Sequence, residues 1–165
     1  GRVKCESGFY VRVLAEQLGE NLDTEAEMTE LRRTMQGGLE EQDLNTLQEV
    51  VDAYKFYTQD NKEEPLREVL NPIERAVSHL RKIVVKDSAV NAVANGSNLG
   101  SSGISKLQGN VSEGETVAVV TLKGELIALG SAKASSQNMF DSQIEAVNIN
   151  NVYMDPGIYP KRWKQ

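Results

Sequence analysis

The sequence predicts an α+β protein in two parts, a mixed first part rich in helices and a second part dominated by β-strands. Three observations carry that expectation. Apolar residues recur at helical spacing between Leu44 and Tyr57. From Lys82 to Lys133 the chain instead reads KIVVKDSAVNAVANGSNLGSSGISKL, then a polar turn, then TVAVVTLKGELIALGSAK, where β-branched runs are punctuated by glycines and small polar residues. The charge divides with them. Residues 1–76 hold 9 Lys/Arg against 17 Asp/Glu and residues 77–165 hold 9 against 7, so the first half carries all of the negative excess of the 165-residue chain. An acidic module beside a neutral-to-basic one implies two units with different surfaces.

Each element follows from local pattern. Residues 2–12 read as a strand broken by a tight turn at Ser7-Gly8, and from Tyr10 the spacing of Val11, Leu14 and Leu18 predicts a short helix with Gly19 at its C′ position. Residues 26–34 are ambiguous by periodicity, and Gly37-Gly38 ends whatever they form. Leu44, Leu47, Val51 and Tyr54, widened by Val50 and Tyr57, mark the apolar stripe of a longer helix, followed by a polar loop from Thr58 to Glu64. Pro65 suits a helix N1 position ahead of Leu66, Val69 and Leu70, and Asn71-Pro72-Ile73-Glu74 has the pattern of a capping box starting another short helix. The module boundary falls near Val77 to Arg81. Ile83 to Val85 is then a strand, and Asp87 or Ser88 caps a small-residue helix ending at Asn95-Gly96. Gly100 to Gly103 reads as a flexible loop, Gly109 to Gly114 as a turn, and Lys123-Gly124 as a two-residue hairpin turn. A short helix around Ser135 to Gln143 and a last strand, Ala146 to Tyr153, complete a barrel-like set.

Composition excludes several classes. With 39% hydrophobic and 25% charged residues the chain reads as a globular protein, and no apolar run approaches the length of a membrane span. It holds one cysteine and one histidine, so neither a disulfide framework nor a Cys/His zinc site is available, and a reducing intracellular setting is expected. Cys5 reads as a small buried hydrophobe on a strand and His79 as a surface or interface residue. The first residues, GRVKCESG, have no signal-peptide core and begin without Met in what reads as mid-strand, which points to a fragment of a longer protein.

The order of elements in the second half resembles the PUA domain, a small RNA-binding β-barrel found attached to RNA-modifying enzymes. Upstream, Cys5-Glu6-Ser7-Gly8-Phe9-Tyr10-Val11-Arg12-Val13-Leu14 is similar to the Cys-x-x-Gly-Thr-Tyr-Ile-Arg segment of dyskerin-family pseudouridine synthases, the catalytic subunits of archaeal box H/ACA guide-RNA particles. Met28-Thr29-Glu30-Leu31-Arg32-Arg33-Thr34 resembles that family's apolar-x-Glu-Leu-Arg-Arg-Thr strand. Tyr153-Met154-Asp155-Pro156-Gly157-Ile158-Tyr159-Pro160-Lys161-Arg162-Trp163 resembles its terminal motif. The resemblance covers essentially the whole chain.

It implies a partial catalytic domain at residues 1–77 and a PUA β-barrel at 78–165. In the family an aspartate drives isomerisation of uridine to pseudouridine, and the Tyr-x-Arg arginine lies against it. Arg12 takes that place here, with Tyr10 and Leu31 lining the pocket beside a flipped base. The aspartate belongs to a Gly-rich motif that is absent, and Asp23, Asp43, Asp52, Asp60, Asp87, Asp141 and Asp155 all stand in other contexts, so the chain is not expected to catalyse the reaction alone. Phe9 replaces the usual Thr, and Glu27 stands where His is common. For RNA, the ACA trinucleotide of an H/ACA guide or the CCA end of a tRNA is expected beside the first PUA helix. The matching positions are Asp87, Ser88, Ala94, Gly96, Ser97, Asn98 and Leu99, with Lys86, Lys106, Lys123 and Gly124 as phosphate-side candidates. Tyr159, Arg162 and Trp163 stack on a base or pin the C-terminal tail onto the catalytic half. The implied partners are guide RNA or tRNA, the N-terminal half of a synthase and the small H/ACA ribonucleoprotein subunits. No cofactor, metal or membrane is implied. The absence of a lysine-rich tail favours an archaeal cytoplasm over a nucleolus. Two rival readings, a stand-alone PUA protein and an acidic scaffold for basic proteins, differ in whether Arg12 and RNA matter.

Overall fold

A computed structural model of the chain describes residues 1–140 and 144–160. It divides into two compact units, Gly1–Thr34 and Met35–Gln165.

The first unit is built on one helix, α1 (Val11–Asn21), preceded by a turn at Ser7-Gly8 in which Gly8 takes φ +85°. The strands expected at 2–12 and 28–34 do not form. A strand exists only where a neighbour completes its ladder, and neither stretch is paired; Cys5, expected to be buried, is exposed. Gly19 does not end the helix either. It is buried inside α1, and a Cβ there would lie 2.8 Å from the Ala26 nitrogen and 2.9 Å from Ala26 Cβ. The missing side chain lets the 24–26 segment fold back onto the helix, with Thr24 N–H donating to the Gly19 carbonyl at 3.0 Å.

The second unit starts with a hairpin. β1 (Met35–Gln36) and β2 (Leu39–Glu40) pair antiparallel across Gly37-Gly38, so these glycines turn the chain rather than end an element. Any Cβ on Gly38 would lie 2.3 Å from Ser78 Oγ, and the sole histidine, His79, covers Gly37. α2 (Leu47–Asp60) has a capping box that pattern reading missed. Glu49 N–H donates to Thr46 Oγ1 (3.2 Å), and Thr46 N–H donates to Glu49 Oε2 (2.6 Å). The helix runs into the expected loop as far as Asp60 and is closed by Asn61 in the left-handed region, leaving 61–63 as the loop. Its apolar stripe is not covered: Leu47 is 80% exposed, Val51 and Tyr54 are exposed, and Ala53 alone is buried in this helix. α3 (Glu64–Val69) carries Pro65 in its first turn.

The capping box expected at 71–74 is absent. Pro72 precedes a single 3₁₀ turn (Ile73–Arg75), and the Glu74 carboxylate accepts from the distant Leu126 N–H at 2.8 Å. A cap residue has become a tie to the barrel. Arg75 holds the same segment by bonding Asn71 Oδ1 (2.8 Å) and the Asp43 carboxylate.

Seven elements make the barrel: β3 (Arg81–Val85), α4 (Asp87–Ala94), β4 (Leu99–Gly100), β5 (Ile104–Gln108), β6 (Thr116–Val120), β7 (Leu126–Ala132) and β8 (Glu145–Val152). The strand order is β4-β8-β7-β6-β3-β5, antiparallel throughout except for the parallel pair β3–β6. The two edge strands are consecutive in sequence and joined only by Ser101–Gly103, the stretch expected to be a flexible loop and here a 3₁₀ turn. Four extended steps span at most about 14 Å, whereas five inter-strand gaps of about 4.8 Å would separate the edges of a flat sheet by about 24 Å. The sheet must therefore curl until its edges meet. The β6–β7 connection is Thr121–Glu125; Thr121 N–H donates to the Glu125 carbonyl (2.9 Å), which leaves Leu122-Lys123-Gly124 as the turn, one residue longer than expected, with Gly124 at φ +89°. Residues 135–140 form turns rather than the start of a helix, and 141–143 lie outside the described residues.

The strand text is apolar without alternation because both faces are buried. Ile83, Val85, Val117, Val119 and Ile127 point into the barrel with Val90, Val93 and Leu99, while Val84, Ala118, Val120 and Leu126 pack outward against Val77 and Leu80. The outer layer joins the 73–80 segment to the barrel wall.

Candidate nucleic-acid interface

Because β3 and β6 are parallel and in register (Val84 opposite Val120), the residues that follow them leave the sheet side by side. Lys86 follows β3 and begins α4; Thr121 to Glu125 follows β6. β5 runs antiparallel to β3, so the Gly103 carbonyl also lies there and accepts from Lys86 N–H at 2.9 Å. One rim thus gathers the start of α4 and the Lys123-Gly124 loop.

The expected RNA-binding residues divide on this frame. Lys86, Asp87, Ser88, Lys123 and Gly124 belong to the rim. Lys86 is the N-cap of α4, in place of the expected Asp87 or Ser88, and its Nζ donates to the Ser102 carbonyl (2.8 Å). Lys106 is exposed on β5 opposite Val84, one step down the wall. Ala94, Gly96, Ser97, Asn98 and Leu99 stand at the other end of α4, about 12 Å away by helical rise. There Gly96 takes φ +84° past the helix end, and among the described residues no atom beyond its chain neighbours lies within 4 Å of where a Cβ would be. Ala94 and Leu99 are buried in the core, and Asn98 Oδ1 accepts from Ile149 N–H (2.9 Å), so these three hold the fold rather than present a free edge. Asn91 Oδ1 on α4 is buried without a hydrogen-bond partner among the described residues.

Pattern reading missed the polar cluster under the rim. Thr121 is 1% exposed, the one polar residue among the buried ones described, and its Oγ1 takes N–H bonds from Lys123 and Glu125 (both 3.2 Å) while donating to Glu125 Oε2 (2.9 Å). Tyr159 Oη donates to the same Oε2 at 2.6 Å, and Lys123 Nζ lies 5.9 Å from the centre of the Tyr159 ring. Tyr159 also packs on the barrel core. Its tail segment is therefore tied to the barrel; Arg162 and Trp163, expected with Tyr159 to pin the tail onto the catalytic half, lie outside the described residues. The hydrogen bond from Tyr159 lowers the Glu125 carboxyl below its ordinary value, and the same bond raises the Tyr159 phenol. A Thr-x-x-x-Glu pair bracketing Lys-Gly was the available signal.

In the first unit, α1 carries Arg12 into a shallow cleft of about 320 Å³ lined with Glu16, Ala26, Glu27 and Met28. Arg12 forms no ion pair among the described residues. Tyr10 and Leu31 do not line that cleft and are 75% and 62% exposed. Among the described residues no His/Cys/Asp/Glu group could hold a metal ion, and no helix is long and apolar enough to cross a membrane.

Comparison with known proteins agrees with this architecture. Residues 12–78 match the tRNA pseudouridylate synthase B C-terminal domain and residues 81–153 the PUA domain. A probable tRNA pseudouridine synthase B of Methanocaldococcus jannaschii is 48% identical over 165 residues, covering 99% of this chain and 49% of that protein. One of Methanopyrus kandleri is 43% identical, covering 98% and 48%. Among solved structures, an archaeal box H/ACA sRNP Nop10–Cbf5 complex matches with TM-score 0.89 and 45% identity over 95% of this chain and 51% of its own. An H/ACA RNP bound to a substrate RNA containing 2′-deoxyuridine matches at 0.87 and 43%, over 95% and 50%. The chain spans about half the length of the relatives it matches. It carries a domain matching the C-terminal domain of tRNA pseudouridylate synthase B followed by a PUA domain, and over nearly its whole length it is similar to archaeal pseudouridine synthases and to a chain of the Nop10–Cbf5 complex.

Proposed function

We propose that this chain docks RNA through its PUA barrel and supplies one wall of a pseudouridine synthase active site, the catalytic aspartate coming from the N-terminal half of the synthase. The observation that carries the docking reading is the rim, where the parallel β3–β6 pair brings Lys86 and the Lys123-Gly124 loop beside the start of α4. Two cations there suit a phosphate backbone, and the open Gly96 at the other end of α4 suits close approach of a base. On this reading the ligand is a guide RNA ending in ACA or a tRNA ending in CCA. The domains divide near residue 77, and the setting is an archaeal cytoplasm, in keeping with archaeal relatives and the lack of a membrane-crossing helix among the described residues.

The active-site reading rests on Arg12. A guanidinium with no ion pair among the described residues can receive a carboxylate supplied from elsewhere, fixing its charge and orientation. The uncovered stripe of Leu47, Val51 and Tyr54 supplies apolar surface for a further part of the protein. The small ribonucleoprotein subunits named in the matching structures, Nop10 and Gar1, are the proposed protein partners.

The test combines this chain with an N-terminal half, guide RNA and substrate, and assays pseudouridine. Activity is expected with the wild type and a loss of at least about 100-fold with Arg12→Ala, the scale at which losing a positioned charge acts in a site. No activity where a full-length relative works would overturn the enzyme reading. Undiminished activity in Arg12→Ala would remove Arg12 from it.

A further inference from the structure

We propose that Tyr159 and Glu125 are positioning residues for RNA docking: they clamp the C-terminal segment onto the β6–β7 loop and hold Lys123 on the rim for a phosphate. The inference rests on the docking reading above and names a device inside it. Lysine is a point charge on a flexible stem, so its value as a phosphate contact depends on how much freedom it must lose on binding. Here that freedom is reduced twice. The loop backbone is held from beneath by Thr121, whose buried Oγ1 takes the N–H groups of Lys123 and Glu125. The ammonium is drawn toward the Tyr159 ring at 5.9 Å, within cation–π reach.

Glu125 explains why the ring is where it is. A carboxylate beside a phosphate-binding lysine is at first sight a liability, because it repels the ligand and competes for the cation. Its Oε2 is instead saturated by two hydroxyl donors, Tyr159 Oη at 2.6 Å and Thr121 Oγ1 at 2.9 Å. The carboxylate holds the tyrosine, and the tyrosine ring in turn locates Lys123. The β3–β6 register puts this loop beside the start of α4, where Lys86 and Asp87 lie.

A purely structural tyrosine and a positioning one differ in their coupling to Lys123. The probe is a single-stranded RNA ending in ACA, bound to the full chain across a salt series. Lys123→Met is expected to reduce the slope of log affinity against log salt by about 0.7, one phosphate contact to a single strand. Tyr159→Phe, which removes only the hydroxyl, is expected to weaken binding about three- to tenfold in the wild type and to have no effect in Lys123→Met. Glu125→Gln, which keeps an acceptor for Tyr159, is expected to bind within about twofold of wild type, and Glu125→Ala to match Tyr159→Phe. Equal losses from Tyr159→Phe in both backgrounds would overturn the proposal, as would an unchanged salt slope in Lys123→Met.

A readout without RNA separates the clamp from the docking reading. Ring-current shifts of the Lys123 ε-protons are expected in the wild type, reduced in Tyr159→Phe and lost in Tyr159→Leu; no change in Tyr159→Phe would overturn the clamp itself. Absence of any RNA binding by the wild type, with those shifts behaving as expected, would overturn the docking reading and with it the role given to the clamp.

Discussion

Gly130 offers a clean test of how the barrel is held. In the β7–β8 ladder Leu129 lies opposite Asn151 and Gly130 opposite Ile149, so Asn150 is an extra residue and β8 bulges opposite the Leu129–Gly130 step. A Cβ at this position would lie 2.5 Å from the Asn148 carbonyl oxygen and 2.6 Å from Val147 Cγ1. The first is ladder backbone and the second is a buried core atom, so neither can yield cheaply. Gly130 does not have a positive φ, which makes the cost of Gly130→Ala steric alone. Overpacking a tight site costs about 1–3 kcal/mol, and two immovable neighbours argue for the upper end, near 3 kcal/mol. For a chain of this size that lowers the melting midpoint by about 6–12 °C. Two controls isolate the cause. At Gly100 a Cβ meets nothing nearer than 3.7 Å, so Gly100→Ala should stay within about 0.5 kcal/mol of wild type. Gly124 has open space but φ +89°, so Gly124→Ala should cost about 1–2 kcal/mol by backbone strain. The assay is thermal unfolding followed by circular dichroism. If Gly130→Ala melts within about 2 °C of Gly100→Ala, the bulge relaxes freely and the steric argument is wrong.

Three further outcomes follow from the caps and the clamp. Thr46→Ala removes one half of the α2 capping box and should cost about 1 kcal/mol, read as faster amide exchange in the first turn of α2. Glu49 in the same box is held below its ordinary carboxyl value, chiefly by the Thr46 N–H. Its contribution is therefore present above the unfolded Glu pKa and is lost as pH falls through the lower folded value; carbon-detected NMR titration of Glu49 with and without Thr46→Ala should show the depression reduced but not abolished, because the substitution removes the hydroxyl donor and keeps the backbone N–H. Tyr159 behaves in the opposite sense. Its phenol is raised by the bond to Glu125, so that bond stabilises the fold below the ordinary tyrosine value and is lost as pH rises through the higher folded one. Ultraviolet titration of the five tyrosines should show one late component that vanishes in Tyr159→Phe. A late component that persists would mean that another tyrosine carries it.

What could be read in the sequence was whatever depends on neighbours along the chain. The α4 segment ending at Gly96, the runs TVAVV and LIALGSA, and the positive φ of Gly124 are all local consequences of residue type. The family was legible for a different reason: several short motifs keep their order over the whole chain. The misreadings share a cause, which is that a distant partner decided the matter. Glu74 has the spacing of an N3 cap residue, yet the Leu126 N–H takes its carboxylate. Gly19 has the position of a helix terminator, yet it stays helical because Ala26 needs its face. Leu47, Val51 and Tyr54 form a correct helical stripe, but periodicity says only that a face is apolar, not that this chain covers it.

The same reasoning explains why the site was half legible. Lys86 and Lys123 were found as cations near turns, but nothing local says that they share a rim. That follows from β3 and β6 being parallel, a pairing between residues more than thirty positions apart. β5 was invisible because Ile104–Gln108 follows a Gly/Ser stretch that reads as a loop. The short Ser101–Gly103 link can join the two edges of the sheet only if the sheet closes, and its last carbonyl, on Gly103 just before β5, is the one that the Lys86 N–H takes at the end of the β3–β5 ladder. Lengthening that link by several flexible residues should therefore loosen Lys86 before it unfolds the β6–β7 hairpin, because the hairpin is closed by its own Thr121–Glu125 bonds and the Lys86 N–H bonds a carbonyl of the link itself. Amide exchange of Lys86 against Thr121 distinguishes the two; equal loss of protection at both would mean that the rim and the hairpin open as one unit.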